Sequence, residues 1–540
     1  MNKRETAIER ISGADLDVLV IGGGFNGAVS AMGLAAHGAS VAMVDRADFG
    51  SGTSQESSNM VWGGFKYLEG YEVPLVVGLC RSRNRLAAAY PSRISEVRFL
   101  AALDASSPHP PWFAMLGATA YWGMGAFRTR PPSHRRRSKI AALEPAIDTA
   151  GVRGGIEYSD FLLLDNDARF VSEMALDAAG HGAAIANYVE VTAAERTAGH
   201  WAVQLRDTTT GACIETSARV LVNAAGPRVG EVSDMTDAPT ERRLVLSKGI
   251  HLVVPQITDS GRVLAFYDDE RRLFYVLPMG HRSVIGTTDT RVDDPDVAVT
   301  AEERAFVLDQ INKRLALDTP LTVRDIIAER CGVRSLVLAG DEQAGDRDWT
   351  ELSRRHAVEV DRSAAVVSVL GGKLSDCLNV GSEVIDAVRS CGVDVPSRRT
   401  RWFGEPDAAE RDRFLLRSGH LDLPAPRFDA VGTAGELLWR RYGRRAHEVV
   451  ALVEGEREMG RPMIELGDLC RAEVEVAAAE EWIVMMEDFL RRRTQLAQLN
   501  RTSELRADPG VVDAARILLG PTAAEAWAAG SDGVRRDRRP

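Results

Sequence analysis

Residues 16–45, LDVLVIGGGFNGAVSAMGLAAHGASVAMVD, decide how this chain folds. Val18-Leu19-Val20-Ile21 reads as an apolar strand, Gly22-x-Gly24-x-x-Gly27 as a glycine turn and Ala28 to Ala36 as a helix, before a second apolar run ends in Asp45. With its acid eighteen positions after Gly27, this is the pattern of a dinucleotide-binding βαβ unit. Gly22 permits the tight turn, Gly24 lets backbone approach a pyrophosphate, and Gly27 lets the helix pack on the strand. Phe25 and Asn26 lie in the same turn, where the helix's first amides face the phosphates. Asp45 is placed to accept hydrogen bonds from a ribose.

A chain of 540 residues is too long for one core and suggests two or three domains, which its 45% hydrophobic content can fill. With 66 basic and 77 acidic residues the net charge is −11, so there is no overall attraction to nucleic acid or to an anionic membrane. The six cysteines show neither CxxC nor metal-ligand spacing, which argues against a zinc site and for a reducing cytoplasm. No metal is expected. The apolar stretches are strand-length, so none reads as a membrane span, and the N-terminus carries no signal-like core.

Beyond Asp45, Gly50 to Asn59 is small and polar and reads as a loop that wraps a ligand, with Thr53, Ser54, Ser58 and Asn59 available to it. Trp62-Gly63-Gly64-Phe65-Lys66-Tyr67-Leu68-Glu69 then sets paired glycines beside aromatics and a cation. The run at 218–227, ARVLVNAAGP, is an apolar strand ending in small residues, Ala225 and Gly226 among them, where backbone can approach a ligand closely. Residues 364–389 pass from strand through Gly371-Gly372-Lys373-Leu374 into a helix whose N-terminus suits partial negative charge. Residues 244–290 alternate as four antiparallel strands, and from about residue 400 the pattern is helical and strongly charged.

The order GGGxNGA, a Ser/Thr-rich loop, then GG-x-Lys-Tyr-Leu-Glu resembles the FAD-dependent glycerol-3-phosphate dehydrogenase family. Matches continue in order at Glu157–Asp160, Asp167–Arg169, Val222–Pro227, Lys248–His251, Ile285–Asp289, Gly332–Arg334 and Gly371–Leu374. Glu481-Trp482 and Phe489–Thr494 resemble the family's extra C-terminal domain. The resemblance implies an α/β protein with a discontinuous Rossmann-like FAD-binding domain (14–95, 151–240 and 330–395). It implies an antiparallel-sheet substrate domain (96–150 and 241–329) and a helical domain (400–520). The boundary before that domain is read at Pro396 and the Ser397-Arg398-Arg399 run, and residues 521–540 read as a disordered tail.

The cofactor implied is FAD, held by the glycines and loop residues above, by Gly63 and Gly64, and by Gly372, Lys373 and Leu374. The substrate implied is a phosphorylated alcohol, glycerol 3-phosphate first, oxidised by hydride transfer to flavin N5. Three side chains are assigned to the chemistry. Arg334 is a fork for an anionic group, His251 a base titrating near neutral pH, and Lys373 a second cation. Lys66, Tyr67 and Thr287 join Arg334 as substrate ligands.

Several positions depart from the family pattern: Asn59 and Trp62 replace a lysine and a histidine, Lys66 an arginine, Ser335 a proline, and Ser375-Asp376 two threonines. Trp62 and Asp376 would alter the substrate pocket, Asp376 by repelling phosphate unless it is paired. An oxidase of 2-hydroxy acids or amino acids is the alternative, and a non-catalytic electron-transfer or scaffold flavoprotein a further one. The resemblance also implies a quinone or another electron acceptor. Contact with the inner face of the cell membrane stays open, through the aromatic cluster Phe113 to Phe127 and the basic run Arg128 to Lys139. That basic run lacks a stacking platform for nucleic acid. The sequence does not give the oligomeric state.

Overall fold

The computed structural model describes residues 3–338, 355–396, 401–428, 432–531 and 533–536. Its first sheet is built on the strand Asp15–Ile21, which runs parallel to Val41–Val44 on one side and Cys213–Asn223 on the other. Ala184–Ala186 and Val366–Leu370 extend the parallel order outward, and Ala357–Asp361 closes one edge antiparallel. Strands buried on both faces need continuous apolar runs, and Val18, Leu19 and Val20 are fully buried. Helices Phe25–Ala36, Asp167–Gly180 and Cys377–Ser390 pack together beside this sheet in one core.

The second sheet has ten strands, with Arg243–Pro255, Arg282–Gly286, Leu273–Met279, Val263–Tyr267, Ile94–Leu103 and Gly154–Leu163 side by side. Most neighbours are antiparallel, but Val263–Tyr267 runs parallel to Ile94–Leu103. Two segments expected in the FAD-binding domain belong to this sheet. Gly154–Leu163 pairs along its whole length with Ile94–Leu103, and Ala328–Leu338 pairs with Arg243–Pro255. Both read as strands, and a strand-like sequence alone does not say which sheet it joins.

The C-terminal part is helical, with Ala434–Tyr442, Ala446–Gly455, Arg471–Glu480 and Pro509–Leu519 among its elements. The expectation of a disordered tail from residue 521 needs correcting. Pro521–Ala528 is a helix whose Ala523, Ala524 and Trp527 are buried in the domain's core. Three small or aromatic residues at helical spacing suffice to dock it. The Ser397–Arg399 run lies outside the described residues. No helix among the described residues is long and apolar enough to cross a membrane.

Not every charged face of this domain is solvated. The π-helical turn Asp488–Arg493 buries Arg491, Arg492 and Arg493 against the dinucleotide-binding domain. Arg492 and Arg493 both reach Asp48 at 2.7 Å, while Arg491 pairs with Glu56 at 3.4 Å and donates to the Gln55 carbonyl. Asp48 lies three residues after Asp45, and Glu56 lies in the polar loop. The helical domain is therefore clamped onto the backbone that surrounds the dinucleotide site.

Candidate active site

The glycine turn has the shape its spacing predicts. Gly22 has φ +105, and a Cβ there would meet the Ala224 carbonyl oxygen at 2.6 Å; one on Gly27 would meet the Gly22 carbonyl at 1.8 Å. Only glycine fits such close approaches. Gly24 caps the helix without a side chain, and the Phe25 amide donates to Ser54 Oγ at 3.1 Å, which draws the polar loop over the turn. Asp45 accepts from the Gly23 and Ala47 amides at 2.6 and 2.8 Å, leaving each oxygen a second lone pair. Burial pushes its carboxyl up to about 6, against the lowering by those two amides.

The other residues expected at the cofactor divide. Asn26 Nδ2 donates to the Gly371 carbonyl at 2.9 Å, which joins the helix Phe25–Ala36 to the Gly371-Gly372-Lys373 turn. Gly371 and Gly372 have φ +64 and +116, so that turn also needs glycine. Thr53 donates to the Val333 carbonyl at 2.7 Å, tying the loop to the second sheet. Ala225 and Gly226 follow the strand end at Asn223, and the Ala225 amide donates to the Asn223 side chain at 3.4 Å. Leu374 is buried in the core beside that turn. Asn59 is buried, and its side-chain amide donates to the Asp165 carbonyl at 3.0 Å. No hydrogen bond to the Ser58 side chain is formed among the described residues.

Gly63 is fixed by three residues to which sequence reading gave no part in the cofactor site, Tyr121 having been grouped with the aromatic cluster of residues 113–127. Asp160, fully buried, accepts from Arg83 at 2.9 Å and from the Tyr121 hydroxyl at 2.5 Å, with the Gly63 amide at 3.4 Å. A Cβ on Gly63 would sit 2.3 Å from the Tyr121 hydroxyl. Asp160 lay within a recognised motif, yet its partners Arg83 and Tyr121 come from distant helices and carry no local signal.

Two clusters bring together most of the expected substrate residues. On the second sheet, the Arg334 guanidinium folds over Gly249, where a Cβ would lie 2.3 Å away, and reaches Thr287 Oγ1 at 3.1 Å and Asp289 at 3.2 Å. His251 stands beside Gly286, next in sequence to Thr287; a Cβ on Gly286 would meet its ring at 2.9 Å. The imidazole is buried, and its Nδ1 has no partner among the described residues. Burial, with Arg330 and Arg334 nearby, pushes its pKa down to about 3, so it stands neutral at physiological pH.

The second cluster joins Lys373 to Tyr67, whose hydroxyl is 2.8 Å from Nζ and whose ring lies 4.1 Å beneath it. Trp62 packs on Tyr67 with ring centroids 5.6 Å apart, and its buried indole N–H has no partner among the described residues. Lys66 is half-buried on the same short helical turn, Phe65–Leu68. Asp376 is not a bare charge: its carboxylate accepts from Ser82 and Asn379 at 2.7 Å and meets His356 at 2.8 Å. Those hydrogen bonds outweigh burial and hold it below the usual carboxylate range.

The glycine cradle, the open helix N-terminus and the orphaned buried N–H and imidazole groups fit a large, flat, phosphate-bearing cofactor. Known proteins agree. Residues 17–359 match the FAD dependent oxidoreductase family, and residues 426–526 match the C-terminal domain of alpha-glycerophosphate oxidase. The chain belongs to this FAD-dependent oxidoreductase family, within the glycerol-3-phosphate dehydrogenase type. Glycerol-3-phosphate dehydrogenase 2 of Mycobacterium tuberculosis is 31% identical over 510 residues, covering 92% of this chain and 83% of the relative. D-erythritol 1-phosphate dehydrogenase of Brucella abortus is equally similar, 31% over 493 residues, with 89% and 94% covered. The glycerol-3-phosphate dehydrogenase of Bacillus halodurans, solved with FAD, shares the fold at TM-score 0.75 and 22% identity, with 98% and 95% covered. FAD is thus the cofactor of this enzyme.

Proposed function

We propose that this enzyme oxidises a secondary alcohol of a phosphorylated polyol, either glycerol 3-phosphate, giving dihydroxyacetone phosphate, or a longer polyol phosphate. The observation that carries this is the cluster of Arg334, Thr287 and His251, in which an anion-binding fork lies beside a neutral imidazole. Guanidinium suits a phosphate because it binds bidentately, and Lys373 and Lys66 add point charges on the Tyr67 side. When bound, FAD supplies the hydride acceptor at N5. His251 takes the hydroxyl proton at a ring nitrogen as the C–H bond breaks, which requires it to start neutral. Arg334 and Thr287 hold the substrate so that the hydroxyl meets that nitrogen.

A hydroxy acid or amino acid would also use an arginine. The C-terminal domain match and relatives named for two polyol phosphates favour phosphate instead. Retention of His251, Arg334 and Lys373 in connected clusters favours a working enzyme over a scaffold. Trp62, bulky where the family pattern has a histidine, and Lys66, a point charge where it has an arginine, support a substrate other than glycerol 3-phosphate itself. Anaerobic bleaching of the flavin by a panel of polyol phosphates tests the assignment.

The surface supports a membrane partner. Helix Pro111–Met124 and the turn after it, to Phe127, contain no charged residue, and Trp112, Leu116 and Phe127 are 68%, 61% and 63% exposed. Tyr71 and Val73, at the start of the adjoining helix Val73–Ala89, are exposed as well. Arg128, Arg136, Arg137 and Lys139 are exposed close by in sequence, whereas Arg135 is tied to Glu157 and Tyr121 belongs to the core. Exposed aromatics beside arginines suit the interface of an anionic bilayer, where a quinone acceptor would be available.

A further inference from the structure

The strands Arg243–Pro255 and Ala328–Leu338 place His251 directly opposite Arg330, so their side chains leave the same face of the sheet as a cross-strand pair. Arg330 is 2% exposed, and its guanidinium hydrogen-bonds only to neutral groups, although the buried Asp167 and Glu56 carboxylates act on it from further off. It donates to the Ser57 carbonyl, to Asn59 Oδ1 at 3.4 Å, to Met279 Sδ at 3.3 Å and to Gln498 Oε1. Its Nε has no partner, and it forms no ion pair among the described residues. A buried cation without a direct carboxylate partner is costly, so its retention calls for a reason.

The other charged groups around the imidazole are already offset. Arg334 is paired with Asp289 at 3.2 Å, and Glu56, which covers Gly332 between the two arginines, is paired with Arg491 at 3.4 Å. Across the ladder on the other side lies Gly286, followed by Thr288 and, one strand further, Tyr275. Arg330 is therefore the cation across from the base that forms no ion pair among the described residues, its charge only partly offset at a distance by the buried Asp167 and Glu56 carboxylates. It also touches the loop of residues 57–59 and, through Gln498, the C-terminal domain.

We propose that Arg330 is a positioning residue for the reaction: its unpaired charge keeps His251 unprotonated, and its hydrogen bonds lock the loop and the C-terminal domain around that base. This rests on His251 being the base. The tests are the imidazole ¹³C NMR signal of His251 in the FAD-loaded enzyme, assigned with His251→Asn, and the pH profile of anaerobic flavin reduction. In the unaltered enzyme the signal should stay that of a neutral ring down to pH 5. In Arg330→Met its midpoint, and the acid limb of the flavin-reduction rate, should rise by about one pH unit or more, while Arg330→Lys keeps both near their original positions. If Arg330→Met does not fold, Arg330→Gln replaces it.

A His251 signal that titrates near 6.5 in the unaltered enzyme overturns the proposal, as does an uncharged variant that loses thermal stability with no change in midpoint. If His251→Asn reduces its flavin at the normal rate while the NMR shifts follow Arg330, the base assignment fails and the electrostatic coupling stands.

Discussion

Arg493 grips both oxygens of Asp48, with Nη1 2.7 Å from one and Nη2 2.8 Å from the other, across 445 positions of sequence. Arg492 adds a third contact and itself bonds Asp488 at 2.6 Å, while Asn187 completes the carboxylate's partners. The arginines outweigh the burial cost and hold Asp48 ionised. Removing one side of a buried bidentate pair leaves the other charge stranded, at about 3–5 kcal/mol. Arg493→Met should therefore destabilise the holoenzyme strongly and weaken FAD retention, since Asp48 adjoins the ribose acid. Chemical denaturation and flavin content of the purified variant check this; unchanged stability with full flavin would show the clamp to be idle.

Asp45 links pH to cofactor binding. Its carboxyl is raised to about 6, and a ribose hydroxyl donates only to the ionised form with full strength. The raised folded-state pKa means that stability gained from protonation is present in the apo-protein below the usual carboxylate value and is lost as pH rises through about 6. FAD, which favours the charged form, opposes that trend. Affinity of the apo-protein for FAD should be flat above pH 7 and weaken by up to about tenfold per unit below 6, as fluorescence titration would register. In Asp45→Asn the pH dependence should vanish.

His251 and Arg334 should separate in kinetics. His251→Asn removes proton acceptance and should slow flavin reduction by about 10²- to 10⁴-fold with little change in substrate affinity. Arg334→Lys keeps charge but loses the fork, and should raise KM for a phosphorylated substrate by about 10- to 100-fold. Anaerobic stopped-flow measurement resolves the two parameters. Equal effects of both variants on affinity alone would remove His251 from the chemistry.

The uncharged helix makes a separate prediction. Trp112→Ser combined with Leu116→Ser should abolish co-sedimentation with anionic vesicles without altering flavin content, because both side chains are exposed. Neutralising Arg136 and Arg137 should weaken binding in a salt-dependent way. Binding that survives both changes would move the membrane contact elsewhere.

How much of this was readable in advance depended on distance along the chain. The glycine turn, Asp45 and the strand before them form one continuous motif, and their geometry follows from local spacing. Arg334, Thr287 and His251 were each legible as motif residues, but that they meet depends on strand register, which the sequence does not print. Asp376 looked like a charge in the pocket because its partners Ser82 and His356 lie 294 and 20 positions away. Arg491 to Arg493 were legible only as part of a C-terminal motif, and nothing local says that tertiary carboxylates bury them, since charge is normally exposed. The tail helix was missed because eight residues with four alanines and a tryptophan give little periodic signal.

The central claim, oxidation of a phosphorylated polyol at this flavin, is most directly tested by the visible spectrum of the purified enzyme under anaerobic conditions. Glycerol 3-phosphate and four-carbon polyol phosphates are added in turn, with lactate and a D-amino acid for comparison. The account predicts loss of the flavin absorbance with at least one polyol phosphate and none with the two acids. Bleaching by lactate or the amino acid alone, with every polyol phosphate inert, would contradict it.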